Sequence, residues 1–370
     1  MTIAYIIIGG FGIGLWWANK ALTQVETKRH FNTHAFLGEK IKIILHIKNK
    51  SWLPLPWLEV RDSLPVALTG AASFQTVTNL MSRADANFEY SVDASKRGYY
   101  PIGPLSISTG DILGLSETLL AEKQAEHVII YPKIIPFTSV EIPSYSPHGT
   151  LRHSLPLFED PTRVFGKREY MSGDSLRRID WKSSASSGRL QVRLFEPSIA
   201  LETFVILNLN AEDYFYRTRV DSTELAIVVA ASISNWVIGK KQTVGMLVNG
   251  RDPWAAAYKA QSIPLRKGKL HLMRMLETLA RVETIDDSTL VPLIQEQRHQ
   301  LARGTTLIVI TGQASDDLLD ELHQARRRGQ NALLILVGNV TDETIIRRAG
   351  ILDVPVFSIM TESDLKIWMQ

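Results

Sequence analysis

Between Lys167 and Glu196 the chain reads K-R-E-Y-M-S-G-D-S-L-R-R-I-D-W-K-S-S-A-S-S-G-R-L-Q-V-R-L-F-E. Arg168, Tyr170, Gly173, Asp174, Arg177, Arg178, Asp180, Trp181, Lys182, Arg189 and Arg193 stand out in it. From Pro161 to Glu196 there are eight basic and four acidic residues, whereas the whole chain carries a net charge of only +3. Clustered guanidinium groups dock acidic surfaces, phosphates or lipid headgroups. They equally pair with carboxylates in bidentate geometry. On that structural reading Arg168, Arg177 and Arg189 pair with Asp174, Asp180 and Glu196 to fasten a connector onto the next domain. Ile179 and Trp181 then supply apolar contact, and Gly173-Asp174 a turn. A catalytic role is disfavoured, because no general base stands beside a plausible nucleophile. Ser183, Ser184, Ser186 and Ser187 lie in no G-x-S-x-G elbow. Acids interleave with the bases, and no helix-turn-helix, zinc or ribonucleoprotein motif accompanies them, so nucleic acid is not the expected partner.

The remaining chemistry is sparse. The absence of cysteine excludes disulfides, thiolate metal sites and cysteine nucleophiles. His30 with His34, and His148 with His153, lack an evident third ligand.

The elements around the basic segment fall into two classes. At 370 residues the chain is too long for one ordinary core. Ile3 to Ala18 carries no charge and ends in Trp16-Trp17, with Lys20, Lys28 and Arg29 beyond. A helix there reaches about 24 Å and has the aromatic and basic flanks of a membrane anchor, with the rest of the chain cytoplasmic. A secretory signal needs basic residues ahead of the apolar run, and only Met1 and Thr2 precede it. From Glu39 to Lys48, Ile41, Ile43, Leu45 and Ile47 alternate with polar residues, Ile44 being the exception. The following S-W-L-P-L-P-W reads as a rigid turn. Trp57–Arg61, Asn87–Val92, Tyr99–Ser108 and His127–Tyr131 are further short strands, together predicting an antiparallel sandwich of immunoglobulin type. From Phe204 onward, apolar strands (Phe204–Asn208, Thr243–Val248, Thr306–Thr311, Ala332–Val337, Val354–Ile359) alternate with helices (Asp221–Ile238, Lys269–Arg281, Thr289–Arg303, Asp316–Arg328, Glu362–Met369). That alternation predicts a parallel sheet covered on both faces. Asp221 or Ser222 is the expected cap of the first helix, with Glu224 reaching back.

The Lys167–Glu196 run, with R-G-Y-Y-P-I-G-P-L (Arg97 to Leu105) and T-G-D-I-L-G-L (Thr109 to Leu115), resembles the signature of the bacterial domain of unknown function 58 family. The resemblance implies a von Willebrand factor A-like domain after the signature. The expected architecture is therefore multidomain α+β and α/β, with boundaries at 1–20 (transmembrane anchor), 21–140 (sandwich), 141–198 (signature connector) and 199–370 (doubly wound sheet). The von Willebrand factor A fold commonly holds a divalent cation on an Asp-x-Ser-x-Ser turn after its first strand, helped by a later Asp. Here that turn is Asn208-Leu209-Asn210-Ala211-Glu212 and the later position falls near Gly312. Asn208, Asn210 and Glu212 are thus degenerate candidates for magnesium or calcium, or polar caps, and no cofactor is expected. The family implies a non-enzymatic scaffold or adaptor in the bacterial cell membrane, acting with a MoxR-type AAA+ ATPase and other membrane proteins in envelope or complex assembly. Typical members carry two amino-terminal membrane segments, and this chain shows one. The alternative is a metal-dependent protein-binding module with a degenerate cation site. An unrecognised hydrolase is a third possibility.

Overall fold

A computed structural model of the protein describes residues 2–70, 72–110, 117–136, 159–171, 179–197, 202–254, 261–286, 290–302, 304–338 and 343–367. The chain divides into two compact units, Met1–Pro132 and Lys133–Gln370.

The first unit opens with helix α1 (Thr2–Leu22) and then builds strands β1 (Val25–His30), β2 (His34–Phe36), β3 (Lys40–Asn49) and β4 (Leu55–Ser63). A short helix α2 (Val66–Thr69) precedes β5 (Ser73–Leu80), β6 (Asp85–Asp93), β7 (Gly98–Ile102), β8 (Leu105–Gly110), β9 (Glu117–Lys123) and β10 (Glu126–Tyr131). The strands form sheets in the orders β1-β3-β6, β2-β10-β7 and β5-β4-β8-β9. β3 shows why they face one another: Ile41, Ile43, Leu45 and Ile47 are all buried, while Ile44 points outward as its place in the alternation requires. Burying each such side chain stabilises the unit by about 1.5–3 kcal/mol. Leu45 and Ile47 pack with Leu58 and Val60 of β4, Leu105 and Ile107 of β8, and Ala21 and Leu22 of α1. Ile41 and Ile43 pack with Val92, Ile102, Val128 and Ile130.

Several expectations for this unit are corrected. The strands are not all antiparallel, since β10 pairs with β2 in parallel. The S-W-L-P-L-P-W stretch is not all turn, because β4 begins at Leu55 and includes Pro56. A register shift between Leu55 and Leu58 absorbs the missing donor. Tyr99 to Ser108 is not one strand, since the chain changes sheets between β7 and β8 at Gly103-Pro104. Gly103 has φ 105°, and a Cβ there would lie 3.0 Å from the Arg29 guanidinium.

That guanidinium is buried, contrary to its reading as a flank of an anchor. Arg29 donates from Nε and Nη2 to the Asp62 carboxylate at 3.0 and 2.5 Å, and from Nη1 to the Ile102 carbonyl at 3.1 Å. Both side chains of the pair are fully enclosed. Tyr90 donates its hydroxyl to the same carboxylate at 2.5 Å. Burial, and then the Asp62 hydrogen bond, push the Tyr90 phenol well above its ordinary pKa. The cluster ties β1, β4, β6 and the end of β7 together.

In the second unit, β11 (Glu159–Glu169), α3 (Trp181–Ser187) and β12 (Gln191–Pro197) form a hairpin carrying a short helix, with β11 antiparallel to β12. Then come β13 (Glu202–Asn208), α4 (Arg219–Gly239), β14 (Thr243–Asn249), β15 (Gln261–Arg266), α5 (Lys269–Arg281) and α6 (Leu290–Gln300). β16 (Thr306–Thr311), α7 (Asp316–Arg327), β17 (Asn331–Val337), α8 (Glu343–Ile351), β18 (Val356–Ile359) and α9 (Glu362–Ile367) complete the unit. The sheet order is β15-β14-β13-β16-β17-β18, parallel except for β15. This edge strand has an irregular register against β14 and contains Pro264, with Ser262, Pro264 and Arg266 facing solvent. Strands β13, β16 and β17 are almost wholly buried, as a sheet covered on both faces demands. Phe204, Ile206, Val309 and Leu334 pack with Ile294 of α6, Leu319 and Leu322 of α7 and Ala349 of α8.

Among the described residues, the helical segment long and apolar enough to cross a membrane is Tyr216–Gly239, not the amino-terminal run, and 72% of its apolar window is buried. It contains α4, whose apolar residues on all sides make it the core helix of this unit. Thr218 occupies its cap position in place of Asp221 or Ser222; its side chain caps no backbone N–H and instead accepts from the Ser222 hydroxyl at 3.3 Å. α1 is helical as expected, and its last turn packs Ala18, Ala21 and Leu22 into the first unit.

Candidate functional site

An open parallel sheet takes ligands beyond the carboxyl ends of its strands, where the strand order reverses. Here that point lies between β13 and β16. β13 ends in Asn208, β14 in Asn249 and β16 in Thr311, all buried. The Asn208 amide nitrogen donates to the Asp213 carboxylate at 2.6 Å and to the Thr311 hydroxyl at 3.0 Å. Its amide oxygen accepts from the Asn249 side chain at 3.0 Å and from the Asn210 backbone at 3.1 Å. Asn210 donates its side-chain amide to the same Asp213 oxygen at 3.1 Å. The turn Ala211–Asp213 is a 3-10 helix, in which positions three apart eclipse. That geometry sets Asp213 under Asn210 and leaves Glu212 exposed.

The buried Tyr214 hydroxyl donates to the Asn208 carbonyl at 2.6 Å. Burial, and then the Asp213 charge, hold this phenol far above its ordinary pKa. Gly312 has no room for a side chain: a Cβ there would strike the Asp213 carbonyl and lie 2.6 Å from the Tyr214 ring. The position where the resemblance places a later acidic ligand is therefore a close backbone crossing.

A hard divalent cation needs several free anionic or carbonyl oxygens. The side-chain amide of Asn208 is committed to the protein in both its protons and its oxygen, and Glu212 is exposed. Among the described residues, no group of three or more His, Asp or Glu side chains is arranged to hold a metal ion. The donor set does not fit a cation, and the cluster works as a polar cap in which the amides of Asn208 and Asn210 hold the Asp213 carboxylate. A groove of about 960 Å³ opens beside Asp213, between α6 and α7, and is lined in part by Val291, Gln295, Ser315 and Asp317. Its Glu321 is buried and paired with Arg298 at 2.6 Å.

The basic segment is a separate site. Asp180 caps α3, accepting from the Ser183 backbone at 3.1 Å. Lys167 lies 3.0 Å and Arg193 3.8 Å from the Asp180 carboxylate. The Lys167 hydrogen bond, then the Ser183 amide, hold the Asp180 carboxyl below its ordinary pKa. Arg189 pairs with Glu169 at 2.7 Å rather than with the acids expected from the sequence, and Arg168 donates to the Glu169 carbonyl at 3.1 Å. The backbone amide of Tyr170 donates to the Leu190 carbonyl at 2.9 Å, closing the hairpin. Ile179 and Val192 are buried against each other across a backbone bridge. Trp181, expected as an apolar contact, is instead 66% exposed, and Met171 is 67% exposed. Lys182 is exposed as well. Gly173, Asp174, Arg177 and Arg178 lie outside the described residues, as do His148 and His153.

Residues 166–345 match the family model "Protein of unknown function DUF58". The match takes in Lys167, the capped helix α3, Arg193 and the Asn208 cluster. The chain is 25% identical over 314 residues to the uncharacterized protein YeaD of Bacillus subtilis, covering 82% of this chain and 73% of that protein. It is 29% identical over 146 residues to an uncharacterized protein of Mycobacterium tuberculosis, covering 38% of this chain and 44% of that relative. Among solved structures, it is similar to the CARDB domain of a Pyrococcus furiosus protein at 14% identity, over 29% of this chain and 86% of that one, with a TM-score of 0.22. A cohesin module from Clostridium perfringens matches at 14% identity, over 29% of this chain and 96% of that one, with a TM-score of 0.23.

Sequence reasoning placed the DUF58-matched hairpin and the Asn208 turn but missed Asp213, Thr311 and Asn249. A usable signal was present: each of β13, β14 and β16 ends its apolar run in Asn or Thr.

Proposed function

We propose that this chain is a membrane-anchored binding protein of the domain of unknown function 58 family. It acts without chemistry of its own, as a scaffold or adaptor for a MoxR-type AAA+ ATPase in envelope or complex assembly. The observation that carries the reading is the solvent exposure of Trp181 and Met171 on a hairpin whose other outward side chains include Lys182, Arg189 and Arg193. Aromatic residues, Met and Arg are the types enriched at protein interfaces, and Trp and Arg dominate their hot spots. The cluster at the strand ends is saturated by its own hydrogen bonds, which supports binding at the hairpin over reaction or cation capture at the sheet.

The three sheets of the first unit, packed on the two halves of β3, support an immunoglobulin-type sandwich. The order β15-β14-β13-β16-β17-β18 with one antiparallel strand supports a von Willebrand factor A-like domain. We keep the anchor at α1, on the exposure of Ile13 and Trp16 among its described side chains. Lys20 and Lys28 beyond it favour a cytoplasmic soluble part in a bacterial cell membrane.

The test is direct binding of a purified MoxR-type ATPase to the full chain in lipid nanodiscs. Trp181→Ala combined with Lys182→Glu weakens binding about tenfold or more, a loss of ~1.4 kcal/mol or greater. Equal affinity of the variant and the parent, or no binding by the parent, overturns the proposal.

A further inference from the structure

The end of the sandwich beside α1 carries an apolar patch that its own core does not explain. Trp52 is 66% exposed and Met81 62% exposed, on the loops leading into β4 and out of β5. Ile13 and Trp16 of α1 continue the same exposed apolar character. The Trp52 ring lies 6.4 Å from that of Trp17, whose indole nitrogen donates to the Pro54 carbonyl at 2.8 Å. The loop is therefore fastened to the helix where the helix leaves the sandwich.

One buried side chain holds both loops in place. Asn49 donates to the Leu53 carbonyl at 2.9 Å and to the Met81 carbonyl at 3.1 Å, and accepts from the Ser51 backbone at 2.9 Å. The Arg83 amide donates to the Ser51 carbonyl at 3.2 Å, with Arg83 itself held at φ 56°. Arg83 and Lys20 are exposed. Two hydrogen-bonded loops thus present Trp and Met beside basic side chains, at the point where the uncharged stretch of α1 emerges. Amphipathic aromatics and snorkelling cations of this kind suit the boundary between headgroups and acyl chains.

We infer that this end of the sandwich sits in the lipid interface, with Trp52 and Met81 inserted at headgroup depth and Lys20 and Arg83 against anionic lipid. The inference rests on the anchor reading of α1, and the experiment separates the two. The chain has no cysteine, so single labelling sites are unambiguous. Ile13→Cys, Trp52→Cys, Met81→Cys and Val66→Cys full-length proteins each receive an environment-sensitive fluorophore. They are reconstituted into phosphatidylcholine–phosphatidylglycerol vesicles whose acyl chains carry bromine at a shallow or a deep position. Val66 is exposed just beyond Ser63, at the opposite end of the nine-residue strand β4 from Trp52.

The expected result is a blue shift with quenching by shallow bromine at positions 52 and 81, quenching by deep bromine at 13, and an aqueous spectrum at 66. Quenching at 13 with aqueous spectra at 52 and 81 overturns the seat and leaves the anchor intact. An aqueous label at 13 removes the anchor, and the seat with it. Equal quenching at 66 and 52 also overturns the seat.

Discussion

The two units bury polarity in opposite ways. The sandwich encloses a full ion pair, Arg29 with Asp62, and closes it with Tyr90 and the Ile102 carbonyl. The wound sheet places a neutral amide, Asn208, at the carboxyl end of β13 and surrounds it with Asp213, Thr311 and Asn249. A buried pair attracts strongly yet carries a large desolvation cost, so its removal is tolerable only when both partners go. A saturated amide costs less to bury, but it commits each lone pair and proton to one geometry. The sandwich is consequently tolerant of a two-residue apolar replacement and intolerant of a single one. The sheet edge is sensitive to any change of charge.

The largest expected effect breaks the first half of that contrast. Arg29→Met strands a buried carboxylate and destabilises the protein by about 3–5 kcal/mol, whereas adding Asp62→Leu restores most of the loss. Urea denaturation followed through the tryptophans measures both. At the sheet edge, Gly312→Ala forces the β16 loop away from Asp213 and Tyr214 at a cost of about 3 kcal/mol, read in the same assay. Asn208→Asp replaces a donor by a second carboxylate against Asp213 and costs about 2 kcal/mol. Magnesium then raises the melting temperature of that variant and leaves the parent unchanged, because the two carboxylates and the Thr311 hydroxyl now form an oxygen site. Magnesium stabilisation of the parent would contradict the account of a cap saturated by its own hydrogen bonds.

The smallest effect concerns the exposed hairpin. The folded-state pKa of Asp180 is depressed, so its contribution is complete above the unfolded carboxylate range near pH ~3.9. It fades as pH falls through the folded value. Asp180→Asn therefore loosens α3 at neutral pH, and the difference from the parent disappears in strong acid. Amide exchange in Ser183 and Ser184 reports it.

How much of this was legible depended on the distance between partners in sequence. β16, α5 and most of α7 were readable almost to the residue, because continuous apolar runs and flanking polar residues mark them locally. β15 was not, since Pro264 and an alternating half-buried pattern disguise an edge strand as loop. α8 also went unread, its one buried residue being Ala349. Arg29 and Asp62 are thirty-three residues apart and belong to different sheets, so nothing near either one announces the pair. At the candidate site, the turn after β13 was found but its side chains were misassigned. A 3-10 turn rotates each residue about 120°, which hid Glu212 and presented Asp213. In the hairpin, Asp180 pairs with Lys167 and Arg193, a choice fixed by the β11–β12 register rather than by the sequence around it.

The edge strand β15 has a further consequence for how this protein behaves in company. A sheet ending in a straight, fully hydrogen-bonding parallel strand invites another chain to extend it. Here Pro264 and the irregular pairing remove that template, so copies crowded together are barred from growing into a continuous ribbon along this side.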